Sequence, residues 1–162
     1  MKTVAIVLLV AVLAAGGIIG YGLFNTSLGI IGKNVQVHPA SDLPGEFQAL
    51  KNAVEQKSLL GTLLSKAPLG SAQEYTYYVY SLTLKNNGLV PAEMVEMQIA
   101  PLPQDVLFYG KNEEVIIQPG QTCDLQCVLL TRGDTHPVRD LHVTYYLWGH
   151  PHEVKYTYDQ SY

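Results

Sequence analysis

Leu141 to Tyr158 reads LHVTYYLWGHPHEVKYTY, two runs of alternating apolar and polar residues joined at Gly149-His150. With those two residues as the turn of a hairpin, Leu147 faces His152, Tyr145 faces Val154, Val143 faces Tyr156 and Leu141 faces Tyr158. All eight then lie on one side of the ladder. The other side pairs Tyr146 with Glu153, Thr144 with Lys155 and His142 with Thr157, a set suited to water. A slip of one residue would mix the two sets, because side chains alternate with a period of two. The segment therefore predicts two antiparallel strands with one buried face.

The same alternation extends upstream to Tyr75. Tyr78, Tyr80, Leu82 and Leu84 alternate with Val79, Ser81, Thr83 and Lys85 in a strand ending at Asn86-Asn87-Gly88. Val95, Met97 and Ile99 alternate with Glu96 and Gln98, and shorter runs occupy Asp105 to Tyr109 and Glu113 to Ile117. Pro119-Gly120 then turns the chain into a run from Thr122 to Thr131. About six or seven strands with no helix between them predict an antiparallel sandwich over residues 72–162.

LTLKNNGLVPAE at Leu82 to Glu93 and IIQPGQT at Ile116 to Thr122 resemble bacterial extracytoplasmic immunoglobulin-like domains of the cell-adhesion-related type. In that family the first pattern is a strand running into an Asn-Gly loop and a Pro-Ala entry to the next strand, and the second is the Pro-Gly turn before a long strand. The resemblance covers Tyr75 to Tyr158. It implies an Ig-like sandwich outside the cytoplasm and carries over no catalytic residue.

Before the strands, EFQALKNAVEQKSLLGTLLSKA predicts an amphipathic helix over 46–67. Phe47, Leu50 and Val54 are helically spaced, and Leu59, Leu60, Leu63, Leu64 and Ala67 continue the stripe. Glu46 and Lys66 complement the helix dipole, and Pro68 is the expected stop. Its apolar stripe needs cover from the following domain, the bilayer surface or a partner helix. The mixed charges of Lys51, Glu55 and Lys57 do not suit a membrane-surface helix. Residues 25–45, punctuated by Gly29, Gly32, Pro39, Pro44 and Gly45, read as a linker without regular structure.

Thr3 to Phe24 carries no charge, and as a helix it would span roughly 33 Å, enough to cross a bilayer core. Residues 1–24 thus predict a transmembrane anchor, with Lys2 favouring a cytoplasmic N-terminus and an extracytoplasmic C-terminal domain. The alternative is a signal segment cleaved after Val12-Leu13-Ala14, giving a secreted domain, but Ile18, Ile19, Tyr21, Leu23 and Phe24 prolong the apolar stretch beyond a signal's needs. Gly16 and Gly20 form a small-residue pair on one helix face through which two anchors can approach as a homodimer.

Composition narrows the function classes. The chain of 162 residues has 48% hydrophobic and 15% charged residues and a net charge of −4, and without Lys2 the remainder stands at −5. An acidic, patternless charge excludes a basic nucleic-acid surface. Two cysteines do not make a disulfide scaffold, and Cys123 and Cys127, on one strand face roughly 13 Å apart at about 3.3 Å per residue, are too distant to bridge. They read as small buried hydrophobes. His136, His142, His150 and His152 do not converge in the expected register, so no metal site or other cofactor is expected. Arg132-Gly133-Asp134 reads as a plain turn, and Glu113-Glu114 as a charged edge whose neighbours point to opposite faces. No nucleophile elbow and no phosphate loop is present, so an enzyme is not expected.

Eleven tyrosines are the unusual feature. Tyr75, Tyr77, Tyr146 and Trp148 are left outside the core by the alternation and are the candidate binding residues, since aromatics with polar tips favour recognition surfaces. The competing expectation is that the helix covers them. The chain is therefore expected to be mainly β, an Ig-like sandwich behind a helix and a membrane anchor through residues 3–24, acting as a non-enzymatic interaction or structural module. An exported small-ligand- or metal-binding domain is the alternative.

Overall fold

The computed structural model describes residues 2–24, 28–110, 115–133 and 138–158. Helix α1 spans Lys2–Phe24, and its core from Val4 to Tyr21 has a mean hydropathy of 2.6 with no part of it buried. It is long and apolar enough to cross a membrane. Besides two short 3-10 turns at Ala40–Asp42 and Ala72–Glu74, the other elements among the described residues are β1 (Leu28–Pro39), α2 (Pro44–Glu55), β2 (Thr62–Leu63), β3 (Tyr75–Asn86), β4 (Ala92–Ile99), β5 (Asp105–Gly110), β6 (Val115–Ile117), β7 (Thr122–Arg132), β8 (Arg139–Leu147) and β9 (His150–Tyr158).

The strands form two antiparallel sheets, a five-stranded one in the order β1-β3-β7-β5-β2 and a four-stranded one in the order β6-β4-β8-β9. Between them lies the main core. Tyr78, Tyr80, Leu82 and Leu84 of β3 and Leu125, Cys127 and Leu129 of β7 meet Val95, Met97 and Ile99 of β4 and Leu141, Val143, Tyr145 and Leu147 of β8. The intervening residues of β3 and β7, Tyr75, Tyr77, Val128 and Leu130, point the other way into a second core beneath α2, with Phe47 at its centre. The centre of the first sheet is thus covered on both faces, and the layers run helix, sheet, sheet.

The turns follow their residue chemistry. Gly120 has φ 76° after Pro119, and the Gln121 N–H donates to the Gln118 carbonyl at 3.0 Å, the Pro-Gly turn expected. Asn86, fully buried, donates from Nδ2 to the carbonyls of Val90 and Ile117, each at 2.8 Å, and its Oδ1 accepts from the Gly88 N–H. That one amide pins the Asn-Gly loop to β6.

Three expectations are corrected. The linker assigned to 25–45 contains β1, antiparallel to β3 from Leu28 opposite Asn86 to Pro39 opposite Thr76, and Leu28 is part of the main core. A bulge between Ile30 and Gly32 hid it. Leu28 and Ile30 pack inward before the bulge, and Val35 and Val37 after it, so the apolar parity jumps from even to odd. The glycines serve close approach: a Cβ on Gly32 would lie 2.9 Å from Thr83 Oγ1.

The amphipathic helix is Pro44–Glu55, much shorter than 46–67. It ends in a Schellman motif, in which Ser58 N–H donates to the Ala53 carbonyl at 2.9 Å and Lys57 N–H to the Val54 carbonyl at 3.2 Å. Lys57 takes the left-handed position at φ 55°, where glycine is the usual signal. Without that glycine the stop was invisible in the sequence. The leucines beyond do not form a helical stripe: Thr62–Leu63 pair with Phe108 and Leu107 as β2, and Leu60 is 91% exposed. Gly61 is wedged against β5, with the Phe108 carbonyl oxygen 2.6 Å from where its Cβ would be.

In the last hairpin Leu147 pairs with His150, Tyr145 with His152, Val143 with Val154 and Leu141 with Tyr156. The turn is Trp148-Gly149, both at positive φ (55° and 74°), rather than Gly149-His150. The register has slid by two residues. Such a slip preserves both faces, so Leu141, Val143, Tyr145 and Leu147 are buried while Glu153, Lys155 and Thr157 face water.

Candidate interaction surface

The four candidate aromatics do not share a face. Tyr75 and Tyr77 are buried at 2% and 3% exposure, on the α2 side of the first sheet, which corrects their assignment to the outside. Tyr75 stacks on Phe47 with ring centroids 5.5 Å apart, and its hydroxyl accepts from the Gly70 N–H at 2.9 Å. Burial is the main cause that pushes the Tyr77 phenol well above its ordinary range, with Tyr109 and Glu46 adding to it. The helix covers this pair, as the competing expectation had it.

Tyr146, in β8 of the second sheet, and Trp148, in the turn that follows it, remain accessible, 37% and 63% exposed. A neighbour missed by the sequence pattern joins them. In β4 a bulge places Met94 and Val95 against a single residue of β8, between the pairs Glu93–Tyr146 and Glu96–Thr144. Val95 turns inward, while Met94, at φ 50°, turns outward and is 52% exposed. Tyr146 also pairs with Pro151 of β9. Tyr146 and Pro151 therefore share a row with the exposed Glu93 of β4, and Met94, displaced by the bulge beside Glu93, lines the same cleft, so the three apolar side chains make a strip interrupted by one carboxylate, with Trp148 at the adjacent hairpin tip.

Non-glycine residues at positive φ are uncommon and cost about 1–3 kcal/mol when bulky, and they persist where the surroundings hold them. Trp148 and Met94 both carry that conformation, and both display an apolar side chain to solvent. The strip borders a cleft of about 1060 Å³ that Leu60, Phe108, Tyr109 and His152 also line. His152 stacks on Tyr145 with centroids 5.6 Å apart.

Below the strip the face becomes polar. His142 Nδ1 contacts Glu153 Oε1, Lys155 Nζ lies 3.8 Å from Glu153 Oε2, and Thr157 Oγ1 donates to Asp140 Oδ1 at 2.7 Å. The hydrogen bond to His142 is the main cause holding the Glu153 carboxyl below the usual range, with Lys155 contributing.

The two cysteines pack into the fold. Cys123 and Cys127 are both free, on one face of β7, with Cys127 buried in the main core. Burial pushes the Cys127 thiol up to about 12, which leaves it protonated and unreactive at neutral pH. Among the described residues no three His, Cys, Asp or Glu side chains come together as metal ligands. Glu113, Glu114, Asp134 and His136 lie outside the described residues. Along α1, a Cβ added at Gly16 or Gly20 would meet nothing within 4 Å.

The polar feature absent from the sequence reading is a buried ion pair. Arg139 Nη1 and Nη2 donate to Asp105 Oδ2 and Oδ1 at 2.8 and 2.7 Å, both residues being almost fully buried. Arg139 was legible in part, because it continues the inward parity of Leu141, Val143, Tyr145 and Leu147.

No protein-family model matches the chain, and no curated protein matches it in sequence. The structure itself defines the class: a β-rich domain of two antiparallel sheets behind an apolar N-terminal helix.

Proposed function

We propose that the chain is a membrane-anchored extracytoplasmic module of immunoglobulin-like type that acts by binding a protein partner at the bacterial cell surface, without catalysis. The observation that carries this reading is the exposure of Met94, Tyr146 and Trp148, two of them in left-handed backbone conformations, at one end of the second sheet. Exposed aromatics and methionine on a rigid sheet supply contact area at little entropic cost. The acidic surface of the exported part, −5 without Lys2, disfavours nucleic acid and anionic lipid as partners. In this reading α1 holds the domain at the membrane with its N-terminus in the cytoplasm, and the face bearing Gly16 and Gly20 is open to a second helix.

The test places a photo-reactive phenylalanine analogue at Met94, Trp148 or, as control, the exposed Gln48 of α2, in cells making the full chain. A discrete cross-linked protein from the first two positions and none from Gln48 is the expected result. Equal or absent cross-linking at all three ends the proposal. A cysteine at Trp148 labelled by a membrane-impermeant maleimide in intact cells is expected if the domain is extracytoplasmic.

The cleft beside the strip favours a second reading, an exported domain that takes a small apolar or aromatic ligand between Phe108, Tyr145 and Leu60. An apolar fluorophore whose emission rises on binding the wild type and fails to do so with Phe108→Ala would support it.

A further inference from the structure

Two sheets of this kind have four edges, and three are blunted. β2 has two residues, β6 has three, and β1 carries the bulge at Ile30/Gly32. β9 is different. It runs nine residues, His150–Tyr158, in unbroken register with β8, and no described strand pairs with its outer side. A long regular edge with unpaired N–H and C=O groups is a template for another strand.

The groups available on that edge follow from the hairpin. A two-residue turn closes on a hydrogen-bonded pair, here Leu147 and His150, after which paired and unpaired positions alternate. His150, His152, Val154, Tyr156 and Tyr158 therefore spend their backbone groups on β8. Glu153, Lys155 and Thr157 direct theirs outward. Pro151, which has no N–H to give, sits in the outward set, where its lack costs the ladder nothing.

We infer that the chain forms a twofold dimer by antiparallel pairing of β9 with β9 of a second copy, centred on Val154. The occupant is chosen by charge. With the axis at Val154, Glu153 lies opposite Lys155 of the second copy and Lys155 opposite its Glu153, two reciprocal ion pairs on one face. Both are outward-directed positions, so each such pair exchanges both of its backbone bonds. Thr157 N–H donates to the Pro151 carbonyl of the second copy. Centring on Glu153 or Lys155 instead sets like charges face to face, and centring on Tyr156 leaves Glu153 beyond the end of β9. On the inner side Val154 meets its own copy and His152 meets Tyr156, which gives cover to side chains that are half exposed in the single chain. The two four-stranded sheets become one continuous sheet.

Sedimentation equilibrium of the full chain in detergent micelles tests this. The wild type is expected to be a dimer. Lys155→Glu and Glu153→Lys, each placing like charges across the seam, are expected to raise the dimer dissociation constant at least tenfold. The double variant Glu153→Lys/Lys155→Glu restores the dimer, as does an equimolar mixture of the two single variants. Both side chains are exposed, so far-ultraviolet circular dichroism of the single variants is expected to match the wild type. Val154→Cys, at the axis, is expected to cross-link under mild oxidation, because facing Cα atoms of a non-hydrogen-bonded antiparallel pair lie about 4.5 Å apart. Thr157→Cys is expected to stay uncross-linked. A wild type that is monomeric at every concentration, or a dimer indifferent to both charge reversals, overturns the inference. A dimer abolished by Gly16→Leu but not by Lys155→Glu assigns association to α1 and equally overturns it.

Discussion

Arg139 and Asp105 join the two sheets through a two-point ion pair in the interior, at 2.7 and 2.8 Å, with the Asp105 carboxylate also accepting from the Leu102 N–H at 2.6 Å. Among the described residues, Arg139 Nε is buried without a hydrogen-bond partner. The pair fixes β5 of one sheet against β8 of the other. It is an alignment device more than a source of stability, because desolvation of two charges offsets much of their attraction.

Removing one partner leaves the other charged and alone. Arg139→Met or Asp105→Leu is therefore expected to destabilise the domain by about 3–5 kcal/mol, while the double variant Asp105→Leu/Arg139→Met loses much less. Urea unfolding followed by tryptophan fluorescence checks this, and additive losses in the double variant would show that the two residues act separately.

Trp148 occupies the first position of a two-residue turn at φ 55°, followed by Gly149 at φ 74°. Asparagine tolerates that conformation far better, and Asn-Gly is the preferred pair for such turns. Trp148→Asn is expected to stabilise the domain by about 0.5–1 kcal/mol. The same variant is expected to lose cross-linking through the neighbouring Met94. A gain in stability with partner binding intact would separate the strain from the function.

Beneath α2, Phe47 is buried and stacked on Tyr75. Phe47→Ala is expected to cost about 3–5 kcal/mol through the lost contact area and the cavity. Lys57→Gly, which relieves the left-handed Schellman position, acts in the opposite direction by up to about 1 kcal/mol. Thermal unfolding by circular dichroism measures both, and a stable Phe47→Ala would mean that α2 contributes little to the fold.

Alkaline sensitivity follows from the buried acids. Burial pushes the Cys127 thiol from its ordinary 9 up to about 12, and the Tyr80 phenol from 10 up to about 12 against the opposing pull of Arg139. Both groups hold their protons more tightly folded than unfolded. Stability is therefore full below pH 9 and falls as pH rises from 9 toward 12, first through Cys127 and then through Tyr80. Cys127→Ala reduces the early part of the decline and Tyr80→Phe the later part, to which Tyr77, also held protonated by burial, contributes. Urea midpoints that stay level from pH 8 to about pH 11 would contradict this.

The strands from Tyr75 onward, the apolar span at the N-terminus and the two-faced character of the last hairpin were legible because each rests on a local period, and a period survives whatever the neighbours do. Leu141, Val143, Tyr145 and Leu147 show it most plainly: parity alone sent them inside, even with the turn displaced by one residue and the register by two. What tertiary structure alone decided lies where the period is broken or the partner is distant in the chain. The bulge at Ile30/Gly32 reversed the parity of β1, Lys57 stopped α2 without a glycine, and the bulge at Met94 turned a strand residue outward. Tyr75 and Tyr77 had the same alternation as any half-exposed strand. They became core because α2, almost thirty positions upstream, folds back over them through Phe47, and burial of that kind depends on which surfaces meet in space.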